Sequence, residues 1–282
     1  VRSAIFASGR GYVGANAPQI RKATCMAIIT MLLSASRSFG ALLSGFLANN
    51  FGFHAVFFVS CGISLLTGIF VLKSLGHDRP YKIEAIAIGL DPIGNSPSSV
   101  SKKYRLFATQ CIITALQFVG LGIMVSFLPL FANQIIEVSA EKVGILFTIY
   151  GVPTMVMSIP MGMITDRIGK KTSMVVGLMV FGAAMAGMAF SRSYLWLIVF
   201  VLTSGIGMAV FSPAALGMVS DTVPLKWQST AMGLYGAFGE NSGIIAGASL
   251  GGFIWITLGP HSTFLMGTVA TALGAAVCIS LL

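Results

Sequence analysis

Four charged side chains, Asp166, Arg167, Lys170 and Lys171, crowd into six positions of a chain in which only 9% of residues are Asp, Glu, Lys or Arg. They belong to the run Gly162 to Lys171, GMITDRIGKK. Gly162 lets a neighbouring helix come close, and Gly169 permits a tight reversal. Arg167, Lys170 and Lys171 hold that reversal on the cytoplasmic side of a membrane. An anion such as Asp166 beside a helix N-terminus gains about 0.3–1 kcal/mol, or about 2 when partly buried. A bond of that size holds one conformation and still breaks. A basic anchoring turn with no further purpose would account for the lysines but not for the glycines or Asp166.

Two more charges sit inside apolar runs. Arg37 lies fifteen residues beyond Lys22, about 22 Å along a helix, too deep to snorkel easily. Glu240 is similarly central, and it falls at helical spacing from Gly243, Gly247 and Gly251. Such residues cost at least about 2.5–3.5 kcal/mol at the bilayer centre and face a cavity or a partner. Both are expected to point inward, Glu240 as a proton-carrying carboxylate and Arg37 as its partner or as a site for an anionic group. A structural ion pair is the other reading. Gln110, Thr114 and Gln117 form one polar stripe, either for solute contact or as a seam between helices. Tyr150 and Asn241 are lesser candidates for the solute or proton pathway.

Other chemistry finds little support. Cys25, Cys61, Cys111 and Cys278 are scattered through apolar stretches with no close pair, so no metal or redox site is expected. Gly9-Arg10-Gly11-Tyr12-Val13-Gly14 fits a dinucleotide fingerprint literally, but no strand-helix-strand context surrounds it. Arg10 is expected to line the cavity or to sit near its cytoplasmic end. His54 and His261 occupy equivalent turns on the outer side and read as structural. With no nucleophile beside a base and no phosphate-binding loop, the chain is not expected to be an enzyme. No cofactor is implied.

The elements that must position these residues follow from hydropathy. The chain is 56% hydrophobic with a mean hydropathy of +0.90, so the solvent for most of it is lipid. The net charge of +9 reads as loop topology rather than as a surface for nucleic acid. About 20 apolar residues cross a bilayer, and eight stretches qualify: 23–49, 55–73, 105–133, 143–165, 171–190, 194–220, 228–257 and 262–282. Residues 1–16 read as the tail of a ninth. Such long runs predict an all-α integral membrane bundle rather than a β-barrel. Counting the loops in order, the odd ones carry Arg21, Lys22, Lys73, Arg79, Lys82, Lys102, Lys103, Arg105, the signature cations and Lys226, whereas the even ones carry only Lys142 and Arg192. The odd loops are therefore expected in the cytoplasm.

Residues 74–104 form the one long polar connection, with the SPSSVSKK run typical of a flexible linker. It separates 1–73 from 105–282, and the second group copies the first. Pro18 and Pro224, and Met26 and Met232, are 206 apart; Gly40 and Gly247, Gly52 and Gly259, His54 and His261, and Phe57 and Phe264 are 207 apart. The second copy holds six spans and the first holds two with a remnant, so about three and a half helices are expected to be missing from the front.

In the pattern G-x-x-x-D-R-x-G-K-K and in this repeat around a central linker, the chain resembles the major facilitator superfamily of secondary transporters. The resemblance implies a bundle of six plus six helices. Residues 1–73 would be the end of helix 4 with helices 5 and 6, and 105–282 would be helices 7–12. It further implies that Asp166 contacts the start of a helix in the opposite half, the span beginning near Ala23, while the transporter is open outward. A second resemblance is to the G-x-x-x-G-P-x-x-G-G of proton-coupled exporters. This chain reads Ser36, Gly40, Ala41, Ser44, Gly45 in one copy and Gly243, Gly247, Ala248, Gly251, Gly252 in the other, with Ala where the family has Pro. Tight helix packing explains the same residues.

The expectation is a multi-pass plasma-membrane transporter, monomeric, moving a small solute by alternating access. Proton-coupled efflux of drug-like compounds or metabolites leads, since Met- and Phe-rich cavities tolerate varied ligands. Uptake or exchange of an organic anion is the alternative that Arg37 suggests. From another class comes a membrane sensor or scaffold that no longer transports.

Overall fold

A computed structural model describes residues 22–75, 97–224 and 227–281. The expected remnant at 1–16, the glycine run with Arg10, the middle of the linker and the Arg37 side chain lie outside the described residues.

Every element named here is helical: α1 (Lys22–Leu75), α2 (Pro97–Gln134), α3 (Ala140–Ile168), α4 (Lys170–Ala189), α5 (Tyr194–Thr222), α6 (Gln228–Leu234), a π-helical segment (Tyr235–Asn241), α7 (Ser242–Leu258) and α8 (Pro260–Leu281). In hydrocarbon the backbone has no water to bond, so each apolar run must satisfy its own amides, and a helix does so within one segment. Among the described residues seven helices are long and apolar enough to cross a membrane, and His54–Phe70 is a shorter apolar helix. The eight expected spans thus correspond to seven such helices and this shorter one.

The spans at 23–49 and 55–73 are two helices that meet directly at a kink on Gly52, whose φ of 79° and ψ of 169° are not helical, and they are numbered together as α1. One boundary differs from expectation. The stretch 97–104, expected in the linker, is the first part of α2. Pro97 explains that start, because its fixed φ suits the first helical position and its missing N–H is not needed there.

The internal repeat has a backbone counterpart. Gly259, between α7 and α8, has φ 88° and ψ 173°, nearly the values at Gly52. Side chains are strained at such angles, so glycine stands at the same corner in both copies.

Within the second group, α4 packs on α5 and α8, α3 packs on α5, and α2 packs on α7 and α8. Small residues bring these helices together. A Cβ on Gly207 of α5 would lie 2.8 Å from the Phe181 N of α4, and one on Gly120 of α2 would lie 3.2 Å from Thr271 of α8. The core is filled by Phe131, Phe181, Phe211, Phe264, Met124 and Met174, all fully buried. Phe131 and Phe264 meet edge to face at 5.2 Å, an arrangement aromatic rings favour. From the first group, α1 packs along α3 and also touches α5.

Candidate functional site

The charged loop is a helix end, a reversal and a helix start. α3 ends at Ile168, Gly169 turns the chain with φ 95°, and its N–H bonds back to the Thr165 carbonyl. α4 begins at once with Lys170. Asp166 sits in the last turn of α3, and its Oδ2 accepts the Thr24 hydroxyl at 2.7 Å and the Thr24 backbone N–H at 3.1 Å. Thr24 lies in the first turn of α1, where N–H groups have no partner in their own helix. The carboxylate thus meets both a real donor and the positive end of the α1 dipole. Gly162, one turn back on the same helix, is buried, and Thr165 is buried with a hydroxyl that has no hydrogen-bond partner.

The cations divide their work. Lys170 pairs with Asp221 at the end of α5, and Lys171 donates to the Ile279 carbonyl near the end of α8 at 2.9 Å. Arg167 is exposed. Close by, Gln228 closes the turn between α5 and α6, donating to the carbonyls of Ser220 at 2.7 Å and Val223 at 3.1 Å. The loop is therefore tied to α1, α5 and α8 at one end of the bundle. Sequence reading missed Thr24, Asp221 and Gln228. Asp221, an acidic residue where an apolar helix ends, was the one signal present.

The polar stripe on α2 is buried throughout. Gln110, Thr114 and Gln117 are 1%, 0% and 0% exposed. The Gln110 amide donates to the Met174 sulfur of α4 at 3.7 Å, and Thr114 donates to the Tyr235 hydroxyl at 3.1 Å. Neither polar atom of the Gln117 amide has a partner, and the Gln110 Oε1 lacks one too. Leaving such a buried group unmatched costs about 1–3 kcal/mol.

Opposite this stripe the helix loosens into the π segment Tyr235–Asn241. π segments are rare and recur at functional sites. The glycine seam of α7 runs through Gly243, Gly247 and Gly251, all buried. A Cβ on Gly247 would fall 3.0 Å from the Val119 Cα of α2, and one on Gly243 would fall 2.7 Å from the Phe118 Cβ. Extended back by one turn, the seam reaches Gly239, where a Cβ would stand 3.1 Å from Thr114. Glu240, next to Gly239 in the π segment, is half-buried, and Asn241 is exposed. Tyr150 is half-buried on α3, where its carbonyl accepts Thr154 at 2.8 Å. The structure thus brings Gln110 and Thr114 together with Met174 and Tyr235, and places Tyr150 on another helix. Among the described residues, Gly40, the counterpart of Gly247, has no neighbour within 4 Å of a built Cβ.

His261 bonds the Ala189 carbonyl at the end of α4 and lies edge-on to Phe131 at 6.0 Å. Its counterpart His54 is exposed.

These features make a multi-pass helical bundle whose charged reversal is hydrogen-bonded to a second helix group. The family model of the Major Facilitator Superfamily matches residues 1–139 and 110–282, and this chain belongs to that family. It is 31% identical over 144 residues to the uncharacterized MFS-type transporter MJ1317 of Methanocaldococcus jannaschii, an alignment covering 49% of this chain and 35% of that protein. It is 25% identical over 137 residues to the quinolone resistance protein NorA of Staphylococcus aureus, again over 49% and 35%. The matched region is thus about a third of each relative's length. In fold it is similar to the crystal structure of the human organic anion transporter MFSD10 (TETRAN), with a TM-score of 0.69 over 97% of this chain and 67% of that one, at 18% identity. At that identity the likeness is one of fold alone.

Proposed function

We propose that the chain is part of a secondary active transporter that moves a small solute by alternating access, with a proton gradient driving efflux of drug-like compounds or metabolites across the plasma membrane. The observation that carries this reading is the pair of hydrogen bonds from Thr24 to Asp166. They join the first helix group to the reversal in the second at one end of the bundle, as a breakable clasp requires. In this reading Gly162, Arg167, Gly169, Lys170 and Lys171 shape and anchor the clasp. Gln110, Thr114, Gln117, Tyr150 and Asn241 contact solute, with Arg37 on the facing helix group. Glu240 carries the proton, its place in a π segment giving the backbone freedom to move the carboxylate between two surroundings. The reading involves no chemical step and no cofactor, and treats one copy as the working unit. The similarity to NorA supports efflux.

Organic-anion exchange is the second reading, favoured by the fold of MFSD10 and by Arg37. Everted membrane vesicles containing the chain separate the two. Acidifying the lumen should drive uptake of a fluorescent quinolone, and Glu240→Gln should abolish the pH response while Glu240→Asp retains part of it. Uptake of a labelled dicarboxylate that is indifferent to Glu240→Gln and lost in Arg37→Ala would establish the exchange reading instead. Movement of neither probe, with the clasp intact, would leave a sensor or scaffold.

A further inference from the structure

The polar stripe of α2 is shut off in this conformation. Gln110, Thr114 and Gln117 are at most 1% exposed, yet the Gln110 Oε1 and both polar atoms of the Gln117 amide have no hydrogen-bond partner. Buried amides left unmatched point to a group that meets them in another conformation. What covers the stripe at Thr114 is Tyr235, the first residue of the π segment. It is 1% exposed, and its hydroxyl accepts the Thr114 hydroxyl at 3.1 Å.

The stretch that carries Tyr235 is pinned on both sides. Gly243, Gly247 and Gly251 bury one face of α7 against α2, where a Cβ on Gly247 would lie 3.0 Å from the Val119 Cα. At the other end Gln228 holds the start of α6 through the carbonyls of Ser220 and Val223. A π turn closes i to i+5 and takes in one residue more than an α turn, so one residue of slack lies between these pins. Side chains that the slack passes turn by one helical position, about 100°. The sequence supplies a second place for it. Gly236 stands seven residues before Gly243, two α turns, so an α-helix continued back from α7 would bring Gly236 onto the glycine face and turn Tyr235 away. In the structure Tyr235 faces Thr114 instead. Among the described residues, nothing lies within 4 Å of a Cβ built on Gly236. That glycine is placed for a register this conformation does not use.

We infer that the slack residue passes between the π segment and α6, and that Tyr235 is the cover of the polar stripe. In the π register its phenol closes the stripe at Thr114. In the α register Gly236 takes that place, and a hydrogen atom stands where the ring stood. The Thr114–Tyr235 hydrogen bond holds the closed register. The inference rests on the reading in which Gln110, Thr114 and Gln117 contact solute, and it gives Tyr235 and Gly236 a positioning role. From α2 the uncovered stripe offers two amides and a hydroxyl, with no charged residue between Leu106 and Ile136. The part of the solute it takes is therefore an uncharged, hydrogen-bonding edge.

Disulfide trapping tests it on the full chain in lipid nanodiscs. Cys111 is buried on α2, and its carbonyl lies 3.6 Å from a Cβ built on Gly239, so it borders the helix that would carry Gly236 across. The trap is Gly236→Cys with native Cys111, the cysteines at 25, 61 and 278 being replaced by alanine. A disulfide needs the two Cβ atoms about 3.5–4.5 Å apart, a separation this pair reaches only when Gly236 turns toward α2. Tyr235→Phe and Thr114→Val each remove the hydroxyl bond, and a bond of that kind biases an equilibrium about two- to twelvefold. Either substitution should speed disulfide formation about threefold or more, whereas Thr114→Ser, which keeps a hydroxyl, should leave the rate within about twofold of the parent. The cover is overturned if neither substitution speeds closure, if Thr114→Ser speeds it as much as Thr114→Val, or if no variant forms the disulfide. Trapping reads register and the vesicle assay reads solute, so a failed cover and a failed transport reading give separate results.

Discussion

Thr24 gives Asp166 two hydrogen bonds of different durability: a hydroxyl at 2.7 Å that a mutation can remove and a backbone N–H at 3.1 Å that it cannot. Bonds to a charged acceptor are worth about 1.5–3 kcal/mol. Asp166→Ala should therefore loosen the end of the bundle more than Thr24→Val, which keeps the N–H contact. Amide exchange at residues 22–30 should rank the variants Asp166→Ala, Thr24→Val, wild type, fastest first. Equal effects of the two substitutions would mean that the backbone contact contributes nothing.

The two glycine seams should respond to alanine with opposite signs. Gly247→Ala forces a methyl against the α2 backbone and should lower thermal stability by about 1–3 kcal/mol, the usual result of overpacking. Gly40→Ala meets no atom of the described residues and should be neutral or stabilising by up to about 1 kcal/mol, since alanine is the better helix former. Thermal scans in one detergent compare the pair directly.

Gln117 holds an amide in the core with nothing to bond. Gln117→Leu keeps similar volume and removes the unmatched groups, so stability should rise by about 1–3 kcal/mol. If the residue also meets solute in another conformation, uptake of the quinolone probe should fall in the same variant. A loss of stability instead would show that the amide finds a partner in the membrane.

The ion pair of Lys170 with Asp221 is partly open to solvent, the two side chains being 15% and 40% exposed. Its contribution should be small, about 0.2–1 kcal/mol. Lys170→Gln should reduce stability by no more than this, and the difference should vanish near 1 M salt, where the screening length is about 3 Å. The clasp at Asp166, being half-buried, should keep most of its effect under the same conditions.

Much of the fold was legible because a bilayer imposes a length and a composition on each helix that crosses it. The spans from 105 onward match α2 to α8 to within a few residues, apart from the early start of α2. The repeat was legible too, because glycines at 52 and 259 mark the same corner. What escaped was information carried by partners rather than by pattern. A threonine at the start of an apolar run has no signature, and Thr24 lies 142 residues from the carboxylate it bonds. The π segment escaped because one added residue per turn shifts helical periodicity too little to be seen over seven positions.

The matching angles at Gly52 and Gly259 carry a consequence for what each corner tolerates. A side chain at either position would meet the same left-handed strain, so the two elbows stand or fall on the same residue type.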